Sequence, residues 1–198
     1  GAAGAVVVRS SAVGEDAAHA SYAGMMDSVL DVDAASGMEA AVRRVWASRW
    51  SARALAYASN RGESLGPVAV IVQRQVDARC AGVLFTRGPD RSHADRMTCE
   101  YCAGLAVGLV AGAVTPNRLR IDRSSLTAEH EDGAQDATMP GGAEIAALAR
   151  AGLAAERLFG ATQDIEWVLD RTGKLWLVQS RPITARMTAG CGRRRVLW

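Results

Sequence analysis

Two short segments hold the side chains best suited to chemistry. In the later one, Asp164 and Glu166 are two residues apart, and Gln179 and Arg181 repeat that spacing. Residues two apart on a strand point to one face. Between them, Arg171–Lys174 has the composition of a turn, so 163–170 and 175–179 read as a hairpin. Pairing its strands clusters two carboxylates, an amide oxygen and a guanidinium. Oxygen donors of this kind suit Mg²⁺, which also takes phosphates and water, and a guanidinium matches phosphate oxygens. The bland alternative is a cross-strand ion pair between Glu166 and Arg181, worth well under about 1 kcal/mol if exposed. Pro182 stops the strand just after Arg181.

The earlier segment is Val8–Asp16. Arg9 ends a buried-strand pattern and is followed by Ser10, Ser11 and Gly14. A guanidinium with paired donors, followed by loop N–H groups, suits a polyphosphate. A structural salt bridge at a strand end is the alternative. A third segment, Tyr22–Ser28, places Gly24 before Met25 and Met26. It could close over a nucleotide, or its methionines could fill core. If the three segments converge, they build one Mg-nucleotide site suited to phosphoryl transfer.

The whole chain bounds these readings. Its 198 residues are 49% hydrophobic, enough for one domain with a real core or two small lobes. A formal charge of +2 exerts no strong pull toward nucleic acid or an anionic membrane. Lys174 is the sole lysine, so arginines must do any cationic work. No apolar run reaches the ~18 residues of a membrane span and no signal peptide is evident, so a cytoplasmic location is the default. Gly1 in place of Met, and a strand-like run from Ala5, suggest a piece of something larger. Residues 185–198 read as a tail or linker after a domain over 1–184.

The elements that must position these side chains follow from periodicity. Residues 5–9 read as a strand and Ser10 to about Asp33 as a polar loop. From about Ser36 to Asn60 the pattern is one amphipathic helix, with Trp46 and Trp50 on its core-facing stripe. Residues 68–73 and 81–86 read as strands joined by Asp77–Arg79, and 97–102 as a further strand. A small hairpin follows over 119–131. Pro140, Gly141 and Gly142 open a helix whose apolar face carries Ile145, Leu148, Ala149, Leu153 and Leu158. Strands in pairs around helices favour an α+β fold over a doubly wound sheet.

The stretches VRSSAVGEDAAHASYAGMMDSVL (8–30), VWASRWSARALAY (45–57), VAVIVQRQV (68–76), GVLFTRGP (82–89), AGAVTPNRLRID (111–122) and QDIEWVLDRTGKLWLVQSRPIT (163–184) together carry a resemblance. The chain resembles the ATP-binding domain shared by phosphoenolpyruvate synthase, pyruvate phosphate dikinase and rifampicin phosphotransferase. The resemblance implies an ATP-grasp-like fold with an incomplete N-terminal lobe and a C-terminal nucleotide-binding lobe. It implies that Arg9 and Arg181 contact the phosphates as the catalytic pair. Glu166 and Gln179 would hold Mg²⁺, with Asp164 supporting. The loop from Ser10 and Ser11 through Gly24 to Ser28 would fold over the phosphates, and Gln73–Val76 would form the adenine-side hinge. In the family, phosphate passes to a histidine on a separate domain and on to pyruvate or another acceptor. The implied cofactors are ATP and Mg²⁺. The implied partners are a phosphohistidine carrier domain and an acceptor-binding domain, with neither nucleic acid nor membrane.

The departures matter too. The family's Gly-rich segment with a phosphate-contacting lysine is absent, and Lys174 stands in a hairpin turn. Val107 occupies a position where the family has an acid, which leaves a degenerate, non-catalytic module as an alternative. His19, His93 and His130 carry no mark of a base. Cys99 and Cys102 have C-x-x-C spacing without the second pair a zinc site needs, and the four cysteines are too scattered for a disulfide framework.

Overall fold

The structure, a computed structural model, describes residues 4–12, 16–17, 20–21, 26–61, 66–88, 95–106, 109, 115–132 and 138–183. The chain divides into two compact units, one ending at Gln75 and the other starting at Val76. Among the described residues the fold is α+β with antiparallel sheets, as the pattern of elements suggests.

In the first unit, β1 (Val6–Ala12) lies between β4 (Ser28–Val32) and β5 (Val68–Arg74). A two-residue pair, β2 (Asp16–Ala17) with β3 (Ala20–Ser21), sits in the connection. The expected polar loop from Ser10 to Asp33 therefore holds strand β4. Val29 and Val32 supply its apolar contacts, and a bulge at Asp31, whose φ is 54°, breaks the alternation that would reveal a strand. Helix α1 (Met38–Ser48) covers one sheet face, with Ala41 and Val45 buried against Val8 and Val32.

The single helix expected over 36–60 is two. The Ser48 hydroxyl donates to the Val45 carbonyl at 2.7 Å, and Ser51 starts α2 (Ala52–Arg61) by accepting the Ala54 N–H. The two tryptophans do not join the core: Trp46 is 53% and Trp50 65% exposed. Small residues fill the inward stripe instead. The Trp46 indole N–H donates to the Val68 carbonyl, and Arg49 lies over the Trp50 ring.

Among the described residues, the second unit holds a six-stranded sheet in the order β11-β10-β6-β7-β8-β9. The strands are β6 (Ala78–Phe85), β7 (Arg96–Ala103), β8 (Asn117–Asp122), β9 (Ala128–Asp132), β10 (Gln163–Asp170) and β11 (Leu175–Pro182). Strands β5 and β6, joined through Asp77–Arg79, belong to different sheets. Helix α3 (Gly142–Phe159) packs on one face through Ile145, Leu148 and Ala149. Against it lie Leu84, Met97, Tyr101, Leu119, Ile121, Ile165, Trp167 and Leu169, all fully buried. Gly152 sets the approach of helix to sheet. A Cβ there would stand 2.8 Å from the Leu84 Cδ2 and 3.2 Å from the Thr86 Cγ2. Gly160, at φ 67°, closes the helix in the left-handed conformation that suits glycine. No described helix is long and apolar enough to cross a membrane.

Candidate functional site

The face of the large sheet opposite α3 carries the later segment. Ile165, Trp167 and Leu169 point toward the helix, so Asp164, Glu166 and Val168 point away. The turn is rigidly specified. The Asp170 carboxylate accepts the backbone N–H groups of Thr172 and Lys174, the Thr172 hydroxyl and the Trp176 indole N–H. These donors, the Thr172 hydroxyl first and the Trp176 indole next, hold Asp170 well below the usual carboxylate range. Lys174 sits in this turn with its ammonium 3.9 Å from the Trp176 ring centroid.

The turn sets the register, which places Asp164 opposite Arg181 and Glu166 opposite Gln179. The expected clustering on one face is therefore what the backbone dictates. An ion pair joins Arg181 to the residue directly opposite it. Arg181 Nε and Nη2 donate to Asp164 Oδ2 at 2.9 and 2.7 Å. The pair is not exposed: the two side chains retain 13% and 7% of their accessible surface. Glu166 and Gln179 are half-buried.

A bulge between Glu166 and Trp167 then changes the phase of β11. Bulges commonly re-aim side chains beside sites. Here Val178 is the extra residue. As a result Trp176 and Val178 join Val76, Leu105 and Ala106 around buried Ala78, Ala81 and Val168. An apolar shelf and a polar cluster thus share one face of one sheet. The shelf includes Val76, expected on sequence grounds beside an adenine. The polar cluster holds Asp164, Glu166, Gln179 and Arg181.

In the first unit, Arg9 and Ser11 lie on the sheet face away from α1, and Gln73, opposite Val7, shares it. Ser28 faces Arg9 from β4. Ser10 is 7% exposed and alternates to the helix-packed face opposite Val70. Gly24, with Gly14 and Tyr22 to Met25, lies outside the described residues, as do His19, His93, Val107 and the tail. Cys80, Cys99 and Cys102 are buried and in no disulfide, and burial pushes the Cys99 thiol far up. Among the described residues no group of three or more His, Cys, Asp or Glu could hold a metal ion. Mg²⁺ needs no such group. One or two protein oxygens suffice when substrate phosphates and water complete the shell, and Glu166 beside Gln179 fits that demand.

The sequence matches the family described as "Pyruvate phosphate dikinase, AMP/ATP-binding domain" over residues 1–191. This chain belongs to that family. It is 36% identical to a probable phosphoenolpyruvate synthase from Methanothermobacter thermautotrophicus, over 90% of this chain and 29% of that protein. It is 32% identical to a rifampicin phosphotransferase from Bacillus subtilis, over 91% of this chain and 23% of that protein. A prodigiosin synthesizing transferase from Serratia marcescens is 31% identical, over 91% and 23% respectively. The chain spans about a quarter of the length of these curated relatives. The family is described as an AMP/ATP-binding domain, which supports nucleotide as ligand.

Sequence reasoning missed Thr86, Gln163 and Ser180, which lie behind the polar cluster. Thr86 stood within GVLFTRGP and carried no chemical signal of its own. Nor could the bulge be read: Leu175–Val178 is continuously apolar, so no alternation marks its phase.

Proposed function

We propose that this chain binds Mg·ATP in an ATP-grasp-like domain of a phosphoenolpyruvate-synthase-like phosphotransferase. The reaction moves the phosphoryl group from ATP to a carrier histidine on another domain and on to pyruvate. One observation carries the reading: on a single sheet face, the Asp164–Arg181 and Glu166–Gln179 pairs adjoin an apolar shelf. The shelf takes the adenine. Arg181, its guanidinium plane fixed by Asp164, meets the phosphates. Glu166 and Gln179 are the protein ligands of Mg²⁺, and Asp164 supports them through Arg181. When bound, that ion neutralises charge on the phosphate oxygens. Arg9, Ser10, Ser11, Gly24 and Gln73 are further proposed nucleotide contacts, Arg9 and Ser11 because they share a face with Gln73. These residues position and neutralise, with little covalent work. The domain is taken as 1–184 and its setting as cytoplasmic.

A second reading keeps the site and changes the acceptor to an antibiotic such as rifampicin. The relatives named rifampicin phosphotransferase favour it, one of them 36% identical.

Isothermal titration with Mg·ATP tests the reading. The expected result for this chain is weak binding, lost in Glu166→Ala and Arg181→Ala. Sub-micromolar affinity would contradict the expected weakness. Absence of binding at millimolar Mg·ATP, or binding indifferent to both substitutions, would refute the site.

A further inference from the structure

Directly behind the polar cluster, on the α3 side of the sheet, a chain of hydrogen bonds joins the helix to both strands of the hairpin. It starts at Glu156 on α3. The carboxylate accepts Arg123 Nη2 at 2.6 Å and Nη1 at 3.2 Å, and the Thr86 hydroxyl at 2.7 Å. Arg123 also donates to the Thr86 carbonyl. Burial alone would push Glu156 up. The donors Arg123 and Thr86 together outweigh it and hold the carboxyl below its ordinary range.

Thr86 is fully buried at the end of β6. While its hydroxyl donates to Glu156, it accepts the Gln163 N–H at 2.8 Å, and its own N–H donates to the Gln163 carbonyl at 2.9 Å. Gln163 is fully buried too. Its side-chain oxygen accepts the Ser180 hydroxyl at 2.9 Å, and its amide nitrogen donates to the Ala161 carbonyl at 3.0 Å. Asp164 follows Gln163 on β10, and Arg181 follows Ser180 on β11. Both members of the ion pair are thus covalent neighbours of a residue clamped from behind.

We propose that Thr86, held by Glu156 and Arg123, is a positioning residue for Asp164 and Arg181, acting through Gln163 and Ser180. A plain core contact would need only an apolar side chain at position 86. The structure instead places there a group that must donate and accept at once, in a setting where each buried polar atom left unmatched is costly. The clamp fixes how far β10 and β11 separate at their open end, opposite the Asp170 turn. That distance decides whether the Arg181 guanidinium can lie in plane with Asp164 Oδ2. The consequence for nucleotide binding rests on the Mg·ATP reading above.

The test uses the full 198-residue chain and guanidinium-region ¹H–¹⁵N spectra, with the Arg181 Nε–H signal assigned by its loss in Arg181→Lys. Thr86→Val keeps shape and removes both hydrogen bonds. Thr86→Ser keeps them. Ser180→Ala removes only the last link and guards against a Thr86 variant that fails to fold. Ile121→Val, in the same core but outside the clamp, controls for general loosening. The expected result is a shifted or exchange-broadened Arg181 signal in Thr86→Val and Ser180→Ala, and a native one in Thr86→Ser and Ile121→Val. Mg·ATP affinity should fall about tenfold in Thr86→Val, the low end of what losing a supporting partner costs. An unchanged signal in both Thr86→Val and Ser180→Ala, or an equal change in Ile121→Val, overturns the proposal. If the wild-type chain shows no Mg·ATP binding while the Arg181 signal still follows the clamp, the nucleotide reading fails and the positioning role stands.

Discussion

Removing Asp164 while leaving Arg181 in place is the sharpest perturbation the site offers. Two guanidinium nitrogens donate to one carboxylate oxygen at 2.9 and 2.7 Å, and neither side chain keeps more than 13% of its surface. Solvent screening is therefore weak. Breaking a buried pair from one side costs about 3–5 kcal/mol, because the remaining charge stays desolvated. The residual exposure of Arg181 places Asp164→Ala near the low end, at about 3 kcal/mol. Asp164→Ala with Arg181→Met removes both charges and keeps apolar bulk, so it should cost about 1 kcal/mol or less. The two substitutions are then coupled by at least about 2 kcal/mol, within the range for residues in contact. Urea denaturation followed by tryptophan fluorescence measures this, since Trp167 and Trp176 both lie in the second unit. The midpoint should move at constant slope. If the single variant lies within about 1 kcal/mol of wild type, or if the double variant equals the sum of the singles, the pair is not the buried contact described.

Two further outcomes follow. Gly152→Ala sets a helix-propensity gain of up to about 1 kcal/mol against a Cβ 2.8 Å from the fully buried Leu84. Overpacking costs about 1–3 kcal/mol, so a net loss of up to about 2 kcal/mol is expected in thermal or urea melts, and a gain would refute the close approach. Glu156 has a folded-state pKa below its ordinary 4.5. It therefore binds its proton less readily folded than unfolded, and its stabilisation is complete above the ordinary value and fades as pH falls through the folded one. Glu156→Gln should lower stability at pH 7 and flatten the acid limb of the stability profile, and an acid limb as steep as wild type would count against it.

The final hairpin was the most legible part of the sequence, and for a physical reason. Period-two placement of Asp164, Glu166, Gln179 and Arg181 fixes their shared face, and the short Arg171–Lys174 turn fixes their register, with Asp170 gathering the turn donors. The Asp164–Arg181 pair within the cluster was less legible, because Glu166 and Asp164 differ by one pleat and only coordinates show which residue stands opposite Arg181. Helix 36–60 misled through its tryptophans. Spacing of three and four residues marks one helix face, yet the face that turns inward is the one whose small residues, Ala41 and Val45, permit close sheet contact. The break left a signal in Ser51, a good helix-starting residue, but no glycine or proline drew attention to it. Thr86 and Glu156 were invisible as site residues. A buried hydroxyl and a helix carboxylate acquire meaning only when two elements 70 residues apart are packed together.

The strand order also has a consequence for biosynthesis. Strand β6 is central, yet one of its neighbours, β10, is synthesised much later, with Gln163 lying 77 positions beyond Thr86. At about 5–20 residues per second that is a wait of roughly 4–15 seconds. Throughout it, the nascent chain presents Cys80, Ala81, Val83 and Leu84 along an unpaired strand border. Premature termination anywhere in that interval leaves the border permanently open, so truncated products of this gene should be far more prone to clump, or to be captured by chaperones, than their length alone suggests.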